Sequence, residues 1–436
     1  MTEVATAFVD WPSAPLTKSL VERAIKSLPH PIEIEDALPK DFIANPPTKR
    51  LVQWATYDSI DHELTAQARD TVLSSSYTFR KALIRKHFLS RTIHSYVTKH
   101  PDSPLARAVP RTWEIELTFA DELDEMWMDE LFDLAELLEE PGDSKPHWYI
   151  LKPGMADRGI GIRLFNSKDA LQSIFEEFEE NEDAEDEDEG DTAVVVSQLR
   201  HFVIQEYLAN PLLLDPDQSA GKAVTNPRGY KFHLRVYCVA SGALKVYLYT
   251  RILALFSSVP FALPKAGDSN PSLKPHLTNT SLQMDQGEAC VRLLSELVGC
   301  QILSPGCDRK LTEEDVNDLI NHIGKILSET FKAALENPVH FQPLPNAFEL
   351  FGVDFVVTCE NSKLQPYLLE MNSEPAIELT GPRLTWVLED LFMGTARVAV
   401  KPHLDTVESP EGGHALERDG HFSKCLDVEV RGEGGW

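Results

Sequence analysis

The chain has 436 residues, 42% of them hydrophobic, so it can bury a large core and is expected to form two or three subdomains. Its apolar runs are shorter than the roughly eighteen residues of a membrane span, and its first residues lack a charged-then-apolar secretion signal. The six cysteines form no CxxC pair, which argues against a zinc ribbon or a disulfide framework. We therefore predict a cytoplasmic protein with reduced thiols.

The formal net charge is -28, and one segment carries much of it. Twelve of the sixteen residues in 176–191 are acidic and few are apolar, so we predict a disordered insertion at about 176–193. The remainder of the chain is acidic as well. Because the electrostatic field of an acidic protein repels phosphate backbones, direct nucleic-acid binding is not expected.

Residues 1–145 are predicted to form an N-terminal domain with helical patterning. This region contains a basic stretch from Arg80 to Arg91 and an acidic amphipathic run from Asp121 to Glu140. The sequence Pro141-Gly142-Asp143 ends that run.

Strand patterns joined by turns begin near His147, and we assign 146–229 to a central lobe. The strand WYILK ends at Lys152 and is followed by a loop that contains Gly154, Gly159 and Gly161. A helix from Lys168 runs into the acidic insertion, and the strand HFVIQEYL follows it.

Residues 230–400 are assigned to a C-terminal lobe built on two hairpins. The first joins YKFHLRVYCV to ALKVYLYTRIL, and the second joins FELFGVDFVVT to LQPYLLEMNS through a turn at 360–362. Helices are predicted around 290–298 and 313–335. Residues 401–436, rich in Pro, Gly and acids, are predicted to form a loose tail.

The second hairpin carries the sharpest chemical signal. Glu370 and Asn372 are two apart in an apolar strand, so they project from the same face, and Asp354 lies in the preceding strand. Two carboxylates and an amide on paired strands suit Mg²⁺, which prefers oxygen ligands and shares them with phosphates. The alternative is an edge strand with a solvated polar face.

The first hairpin places cations on one strand face. Lys231, His233, Arg235 and Tyr237 alternate with apolar residues, and Arg251 follows on the predicted partner strand. Such cations can neutralise a triphosphate and the charge of phosphoryl transfer. A half-exposed strand with its polar face in water explains the alternation equally well, but it does not account for three cations in so acidic a chain.

Two further segments suit a nucleotide. The glycines after Lys152 allow backbone N–H groups to reach phosphate oxygens, although the spacing fits no standard phosphate loop. The segment from Gln205 to Leu208 ends a strand and can hydrogen-bond an adenine edge through its backbone.

The order of these segments resembles that of the tubulin-tyrosine ligase family of ATP-grasp enzymes. The shared motifs are LKPGMADRGIGI, FVIQEYL, GYKFHLRVY, HLTNTSLQ, FELFGVDF and LLEMNSEPA, over about residues 146–393, with a fainter match at FRKAL. The resemblance implies an α+β ATP-grasp fold, in which two α+β lobes clamp ATP beside a smaller N-terminal domain. It also implies that ATP phosphorylates a carboxylate and that an amine then displaces the phosphate to form an amide.

The resemblance assigns roles to individual residues. Lys152 would contact the α- and β-phosphates, and Lys81 would reach in from the N-terminal domain. Asp354, Glu370 and Asn372 would bind Mg²⁺. The adenine pocket would be formed by Gln205, Tyr207 and Leu208. The γ-phosphate, the acyl phosphate and the acceptor would be held by Lys231, Arg235, Arg251, Thr278 and Asn279, of which Lys231, Arg235, Arg251 and Asn279 are the predicted catalytic residues.

Three features depart from the family pattern. His233 occupies a position that is usually aspartate, Arg251 is shifted by one residue, and the acidic net charge does not favour an acidic tubulin tail. The basic stretch from Arg80 to Arg91 is the predicted patch for such a tail.

Three functions therefore remain open. The first is a ligase that joins an amino acid to a protein acceptor, tubulin or another protein. The second is a degenerate or regulatory ATP-binding scaffold, with partners in cytoplasmic mRNA-decay assemblies. The third is a ligase that acts on small molecules.

Overall fold

The structure is a computed structural model that describes residues 4–38, 49–139, 147–154, 160–183, 200–221, 224–265, 271–278, 290–377, 380–405 and 418–430. Within these ranges the chain forms three β-sheets, with helices packed against them. No helix in these ranges has both the length and the apolar character needed to cross a membrane.

The first sheet is parallel and has four strands in the order β2-β1-β3-β4. The strands are β1 (Ala5–Phe8), β2 (Ile32–Glu35), β3 (Leu51–Gln53) and β4 (Val72–Ser74), and the helices are α1 (Pro15–Lys26) and α2 (His62–Gln67). Strands of three or four residues are too short for a two-residue alternation to be evident. For this reason the sequence indicated only helices in this region.

The second sheet is antiparallel, in the order β5-β8-β6-β7, and follows two helices that carry the basic stretch. Its strands are β5 (Thr112–Glu116), β6 (Tyr149–Pro153), β7 (Arg163–Phe165) and β8 (His201–Glu206). The helices are α3 (Lys81–Ile84), α4 (Lys86–Lys99), α5 (Leu123–Met126), α6 (Phe132–Glu139) and α7 (Lys168–Asp183).

One expectation for this region is corrected by the structure, and the domain boundary is left as a prediction. Strand β5 pairs with β8, so the second sheet includes residues from the segment assigned to the N-terminal domain, while the boundary at 145 stays a prediction. Helix α7 continues to Asp183, so the disorder predicted from residue 176 is wrong for 176–183. The rest of the predicted insertion lies outside the described residues.

The third sheet has nine strands and contains both predicted hairpins. Its strands are β9 (Leu213–Leu214), β10 (Tyr230–Ser241), β11 (Lys245–Tyr249), β12 (Leu253–Phe256), β13 (Val291–Leu293), β14 (Phe348–Glu360), β15 (Lys363–Ser373), β16 (Arg418–Asp419) and β17 (Phe422–Asp427). Asn361 and Ser362 join β14 to β15 with φ values of 49° and 63°. Two successive positive φ values match the twist of a two-residue hairpin, which confirms the predicted turn.

One face of this sheet packs on the long helix α8 (Glu313–Leu335), whose predicted span is confirmed. A capping box between Thr312 and Asp315 starts the helix, and Leu319, Ile323 and Ile326 are buried at helical spacing. The opposite face packs partly on α1 and α9 (Thr385–Thr395), next to the first sheet. The rest of that face, carrying the odd-numbered residues at the start of β10, opens into a cleft.

The region after residue 400 is more ordered than predicted. It contains α10 (Lys401–Leu404), and β17 pairs with β11, with Phe422 only 1% exposed. The loose tail is therefore wrong for these residues, because two hydrophobic side chains, Phe422 and Leu426, fix the strand to the sheet. The helix predicted around 290–298 is also wrong at its start, where β13 lies and a short 3-10 turn (Leu294–Leu297) follows.

Candidate active site

The cleft lies where the second and third sheets face each other, and its cavity measures 90 Å³. Strands β6 and β8 contribute one wall, and β10, β14 and β15 contribute the other. Eight of the predicted site residues line it: Lys152, Gln205, Tyr207, Leu208, Lys231, Thr278, Asp354 and Glu370. Residues separated by more than two hundred positions thus meet in one cavity.

A ladder of charged side chains crosses three adjacent strands at the cleft. Arg235 on β10 is the register partner of Asp354 on β14, which is in turn the partner of Glu370 on β15. Arg235 Nε donates to Asp354 Oδ1 at 2.6 Å and its Nη2 donates to Oδ2 at 3.0 Å. Although burial disfavours the charged guanidinium, Asp354 raises the pKa of Arg235 above its usual range. The guanidinium of Arg235 therefore stays charged at neutral pH.

Two backbone features allow this ladder. A bulge at Leu369 shifts the register between β14 and β15, so that Leu369 and Glu370 both line the cleft. Gly352 precedes Asp354 by two residues on the same face, and a Cβ there would lie 2.6 Å from Pro375 and 3.3 Å from Arg235 Cδ. The Arg235 side chain thus passes over Gly352 to reach Asp354.

Glu370 is held by cations from other elements. Lys86 Nζ, at the start of α4, lies 3.2 Å from Glu370 Oε2. Burial favours the protonated acid, but Lys86, Lys152 and Arg235 outweigh it and lower the pKa of Glu370 to about 2. Asn372 Nδ2 donates to Asp354 Oδ2 at 3.3 Å, so the three predicted metal ligands lie together.

Two buried lysines face the cleft without a carboxylate at ion-pair distance among the described residues. Lys152 is 8% exposed and Lys231 is 7% exposed. Burial lowers the pKa of Lys152 to about 8, against the attraction of Glu370. Burial and the neighbouring charge of Lys152 lower the pKa of Lys231 to about 7. Two adjacent cations that lose charge by burial form a site that an anion would stabilise.

Polar side chains hold these lysines in position. Lys152 Nζ donates to Gln205 Oε1 at 2.6 Å, and Lys231 Nζ lies 4.6 Å from the centre of the Tyr207 ring. The Tyr207 hydroxyl is 2.7 Å from Nδ1 of His276, and burial lowers the pKa of His276 to about 4. The neutral imidazole therefore accepts the hydroxyl proton, which leaves the tyrosine oxygen free to accept from Lys231.

His233 lies at the centre of the cleft. Its Nδ1 is 2.5 Å from the Thr278 hydroxyl, and its Nε2 is 3.6 Å from Asp354 Oδ1, beyond hydrogen-bond range. Burial lowers the pKa of His233, although Asp354 opposes the shift. The histidine is therefore neutral, with a buried Nε2 that has no hydrogen-bond partner in the described part of the chain.

The other predicted site residues lie elsewhere. Arg251 follows β11 rather than lying on it, because the strand ends at Tyr249. Nη1 of Arg251 pairs with Asp390 at 2.5 Å, and the guanidinium covers the Trp386 ring. Lys81 is exposed and does not line the cleft. Asn279 and Gly159 lie outside the described residues.

Sequence reasoning missed two residues of the cleft. Lys86 was assigned to the basic stretch but not to the site, and only the packing of α4 against β15 brings it to Glu370. His276 lies in the HLTN segment, beside Thr278, and the only signal for it was that motif.

The cleft contains oxygen donors of the kind that bind magnesium. Glu370, whose pKa is lowered to about 2, supplies one carboxylate, Asp354 supplies a second that accepts from Arg235, and Asn372 adds an amide. The described residues contain no cluster of three or more His, Cys, Asp or Glu side chains suited to a metal. Two carboxylates and an amide are a fit for Mg²⁺, which usually takes few protein ligands and completes its shell with water and phosphate oxygens.

A model of the tubulin-tyrosine ligase family matches residues 65–407. The chain belongs to the tubulin-tyrosine ligase family. The matched residues include the whole second sheet, the third sheet from β9 to β15, and only β4 of the first sheet. The match also accounts for the order in which the cleft residues occur along the sequence.

Two yeast relatives are similar over most of the chain. A Schizosaccharomyces pombe protein named as a probable tubulin–tyrosine ligase is 39% identical over 81% of this chain and 83% of its own length. Saccharomyces cerevisiae PBY1, with the same description, is 34% identical over 95% of this chain, which spans only 54% of that longer protein.

A solved structure shares the fold. The C-terminal domain of K. lactis Pby1 superposes with a TM-score of 0.66 at 30% identity, over 98% of this chain and 99% of that domain. It is described as an ATP-grasp enzyme that interacts with the mRNA decapping enzyme Dcp2. The expected α+β ATP-grasp fold is therefore confirmed.

Proposed function

We propose that this chain is an ATP- and magnesium-dependent ligase that joins an amino acid to a protein carboxylate through an acyl phosphate. The observation that carries the proposal is the pair of buried lysines, Lys152 and Lys231, beside the carboxylates of Asp354 and Glu370. A triphosphate would satisfy the lysines, and its metal would satisfy the carboxylates. Membership of the tubulin-tyrosine ligase family supports the reaction class.

The proposed reaction has two steps. An oxygen of the acceptor carboxylate attacks the γ-phosphorus of ATP, the bond to the β-phosphate oxygen breaks, and ADP leaves. The amino nitrogen then attacks the acyl carbon, loses a proton, and expels inorganic phosphate as the amide forms. Charge neutralisation and positioning supply most of the acceleration for such phosphoryl transfer.

Each residue of the cleft has a defined part in this scheme. Lys152 and Lys231 would bind phosphate oxygens, and Arg235, fixed by its two hydrogen bonds to Asp354, would stabilise the transferring group. Tyr207 and Leu208 would contact the adenine. Bound magnesium, held by Asp354, Glu370 and Asn372, would neutralise charge on the triphosphate.

The first test is calorimetric titration of the full chain with a non-hydrolysable ATP analogue and Mg²⁺, followed by a screen for ADP release. The screen combines free amino acids with tubulin and other acidic proteins as acceptors. Magnesium-dependent binding together with ADP release that needs both an amino acid and an acceptor is the expected result. Absence of binding would contradict the nucleotide assignment of the cleft.

A second candidate function is an ATP-binding scaffold without ligase turnover. It is favoured by His233, a neutral side chain in a position that is usually aspartate in the family, and by the likeness to a Pby1 domain that interacts with a decapping enzyme. Nucleotide binding without ADP release across the whole screen would favour the scaffold. Pull-down of the decapping enzyme by the full chain would then test the partner.

A further inference from the structure

A second cavity lies beside the cleft, between α4 and the second sheet. It measures 180 Å³ and shares Pro110, Lys152, Gln205 and Leu369 with the cleft. A cavity of about 150 Å³ with apolar walls can hold benzene, so this one has room for a single ring. We call it the α4 cavity.

The middle of the α4 cavity is apolar. One wall is a single face of α4, whose lining residues recur at three- and four-residue spacing: Lys86, Leu89, Ser90, Ile93, His94 and Val97. Aliphatic side chains from β8, β15 and the turn after α4 complete the walls, among them Leu105, Val203 and Leu368, each at most 2% exposed. Such walls favour a hydrocarbon body over water.

The titratable groups that line the cavity are two lysines, an arginine and a histidine. Lys86 and Lys152 lie at the inner end, towards the cleft, whereas His94 and Arg111 are exposed at the outer end. None of the described residues that line the cavity carries a carboxylate, although the net charge of the chain is -28. This local excess of positive charge favours an anion and disfavours an ammonium group.

Carboxylates next to the cavity are already paired with cations. Glu370 lies 3.2 Å from Lys86 Nζ and lines the cleft instead. Glu114 accepts from Nη2 of Arg91 at 2.9 Å. Glu370 also attracts Lys152 from farther away, but within the described part of the chain Lys152 has no carboxylate at ion-pair distance. Lys152 is therefore the inner cation that an anionic ligand can still pair with.

A row of hydrogen bonds along the second sheet holds Lys152 at the cavity. Lys152 Nζ donates to Gln205 Oε1 at 2.6 Å, and Gln205 Nε2 donates to the Thr112 hydroxyl at 3.2 Å. All three residues line the cavity, and Lys152 and Gln205 are 8% and 9% exposed. An ammonium group has three N–H donors, so Lys152 can bind an anion while it keeps its bond to Gln205.

These features select the class of ligand. An anionic head group can accept from Lys152 while an apolar body fills the space between α4 and β8. A free amino acid fits poorly, because its ammonium group would face cations. We propose that the α4 cavity binds a small organic anion with an apolar body, such as an aryl-alkyl carboxylate.

The position of Lys152 couples this ligand to the cleft. Lys152 lines both cavities, so a bound anion and a triphosphate would compete for the same ammonium group. Each ligand should therefore weaken the binding of the other, and by the same factor. This coupling rests on the proposed nucleotide binding, whereas binding in the α4 cavity does not.

The test is calorimetric titration of the full chain with 3-phenylpropionate, for which saturable binding is expected. 3-Phenylpropionamide lacks the charge, 3-phenylpropylamine reverses it, and propionate lacks the ring, so each should bind at least about tenfold more weakly. Ala106→Trp, at the exposed mouth, should remove binding by filling the cavity. Lys152→Met should weaken 3-phenylpropionate binding by about tenfold or more and abolish the preference over the amide.

Two control variants locate the binding. Ala66→Trp, at an exposed position on α2, should bind 3-phenylpropionate as the unaltered chain does. Lys231→Met, which changes the cleft but not the α4 cavity, should also retain this binding. Circular dichroism melting checks that Ala106→Trp is folded.

ATP-analogue binding is scored separately, so that the two proposals can fail independently. Loss of the nucleotide proposal would appear as no analogue binding by a chain that still binds 3-phenylpropionate. Absence of saturable 3-phenylpropionate binding, equal affinity for the amide, or binding that persists in Ala106→Trp would overturn the α4 cavity as an anion site.

Discussion

Burial of Lys231 is expected to destabilise the protein without nucleotide and to strengthen nucleotide binding. Replacing this lysine should therefore raise the stability of the protein and lower its affinity for nucleotide. In Lys231→Met a buried ammonium with no ion-pair partner among the described residues is replaced by an apolar chain of similar length. We expect an unchanged or higher melting temperature and ATP-analogue affinity lower by about tenfold or more. The matched change Lys332→Met, on α8, should leave affinity unchanged.

The lowered pKa of Lys231 also predicts a proton linkage. In the empty protein this lysine is mostly neutral above about pH 7, whereas the unfolded chain keeps the proton up to its usual pKa of 10.5. The unfolded state then binds more protons, so this group makes the empty protein more stable as pH rises between these values.

Phosphate binding should reverse this shift. At about pH 8, an ATP analogue should therefore bind with proton uptake of up to one proton, which titrations in buffers of different ionisation enthalpy measure. Lys231→Met should lose most of that uptake. Equal uptake in the variant would assign the proton to another group, such as Lys152.

Glu370 is the residue on which the metal assignment depends. Glu370→Gln keeps the size of the side chain but removes one proposed ligand charge and the ion-pair partner of Lys86, so we expect loss of magnesium-dependent nucleotide hydrolysis with the fold intact. Circular dichroism checks the fold, and magnesium titration of hydrolysis checks the site. If hydrolysis were unchanged, Glu370 would have to be removed from the proposed ligand set.

At the scale of elements, strand β17 lies near one edge of the third sheet, between β11 and the two-residue strand β16, and Phe422 anchors it. This ring is 1% exposed and lies so close to Gly394 of α9 that a Cβ there would be 2.2 Å from it. Phe422→Ala should therefore lower the free energy of unfolding by about 3–5 kcal/mol, because it leaves a cavity under α9. Denaturant titration measures this loss.

The control for Phe422 is another phenylalanine in a different environment. Phe79 is 49% exposed, so Phe79→Ala should cost well under half as much as Phe422→Ala. A loss for Phe422→Ala as small as the one expected for Phe79→Ala would show that Phe422 does not anchor β17 to the sheet.

The accuracy of sequence reasoning varied with the length of the pattern. The sequence predicts the strands β10, β14 and β15 because they are long and alternate regularly, and it predicts α8 because that helix is long and capped. The alternation in β15 also predicts that Glu370 and Asn372 share a face. The strands of the first sheet are too short to show a period. Arg251 was expected on the partner strand, but β11 ends before it, and its shift by one residue from the family pattern was the local sign of this difference.

Contacts between distant elements lay outside that reasoning altogether. The approach of Lys86 to Glu370 depends on how α4 packs against β15, and the bulge at Leu369 depends on pairing with β14. Neither leaves a signal in a single sequence. The buried state of Lys152 and Lys231, on which the proposed binding of phosphates depends, is likewise a property of the assembled sheets.

At the scale of the whole molecule, the basic stretch that was predicted to receive an acidic tail is largely neutralised within the protein. Arg80 pairs with Glu349, Lys86 with Glu370 and Arg91 with Glu114. Lys81 and Arg85 are left as its cations with no ion pair among the described residues. The net charge of -28 therefore dominates the approach of a charged partner.

This balance predicts the salt dependence of acceptor binding. Raising the ionic strength from about 0.01 M to 0.15 M shortens the screening length from about 30 Å to about 8 Å. A fluorescein-labelled glutamate-rich peptide should then bind more strongly, because its repulsion by the acidic protein is screened. A serine-glycine peptide of the same length should show no such dependence. Tight binding at low salt that is lost at higher salt would contradict the prediction. If Lys81→Glu with Arg85→Glu then removed that binding, these two residues would form a basic patch strong enough to override the field of the whole chain.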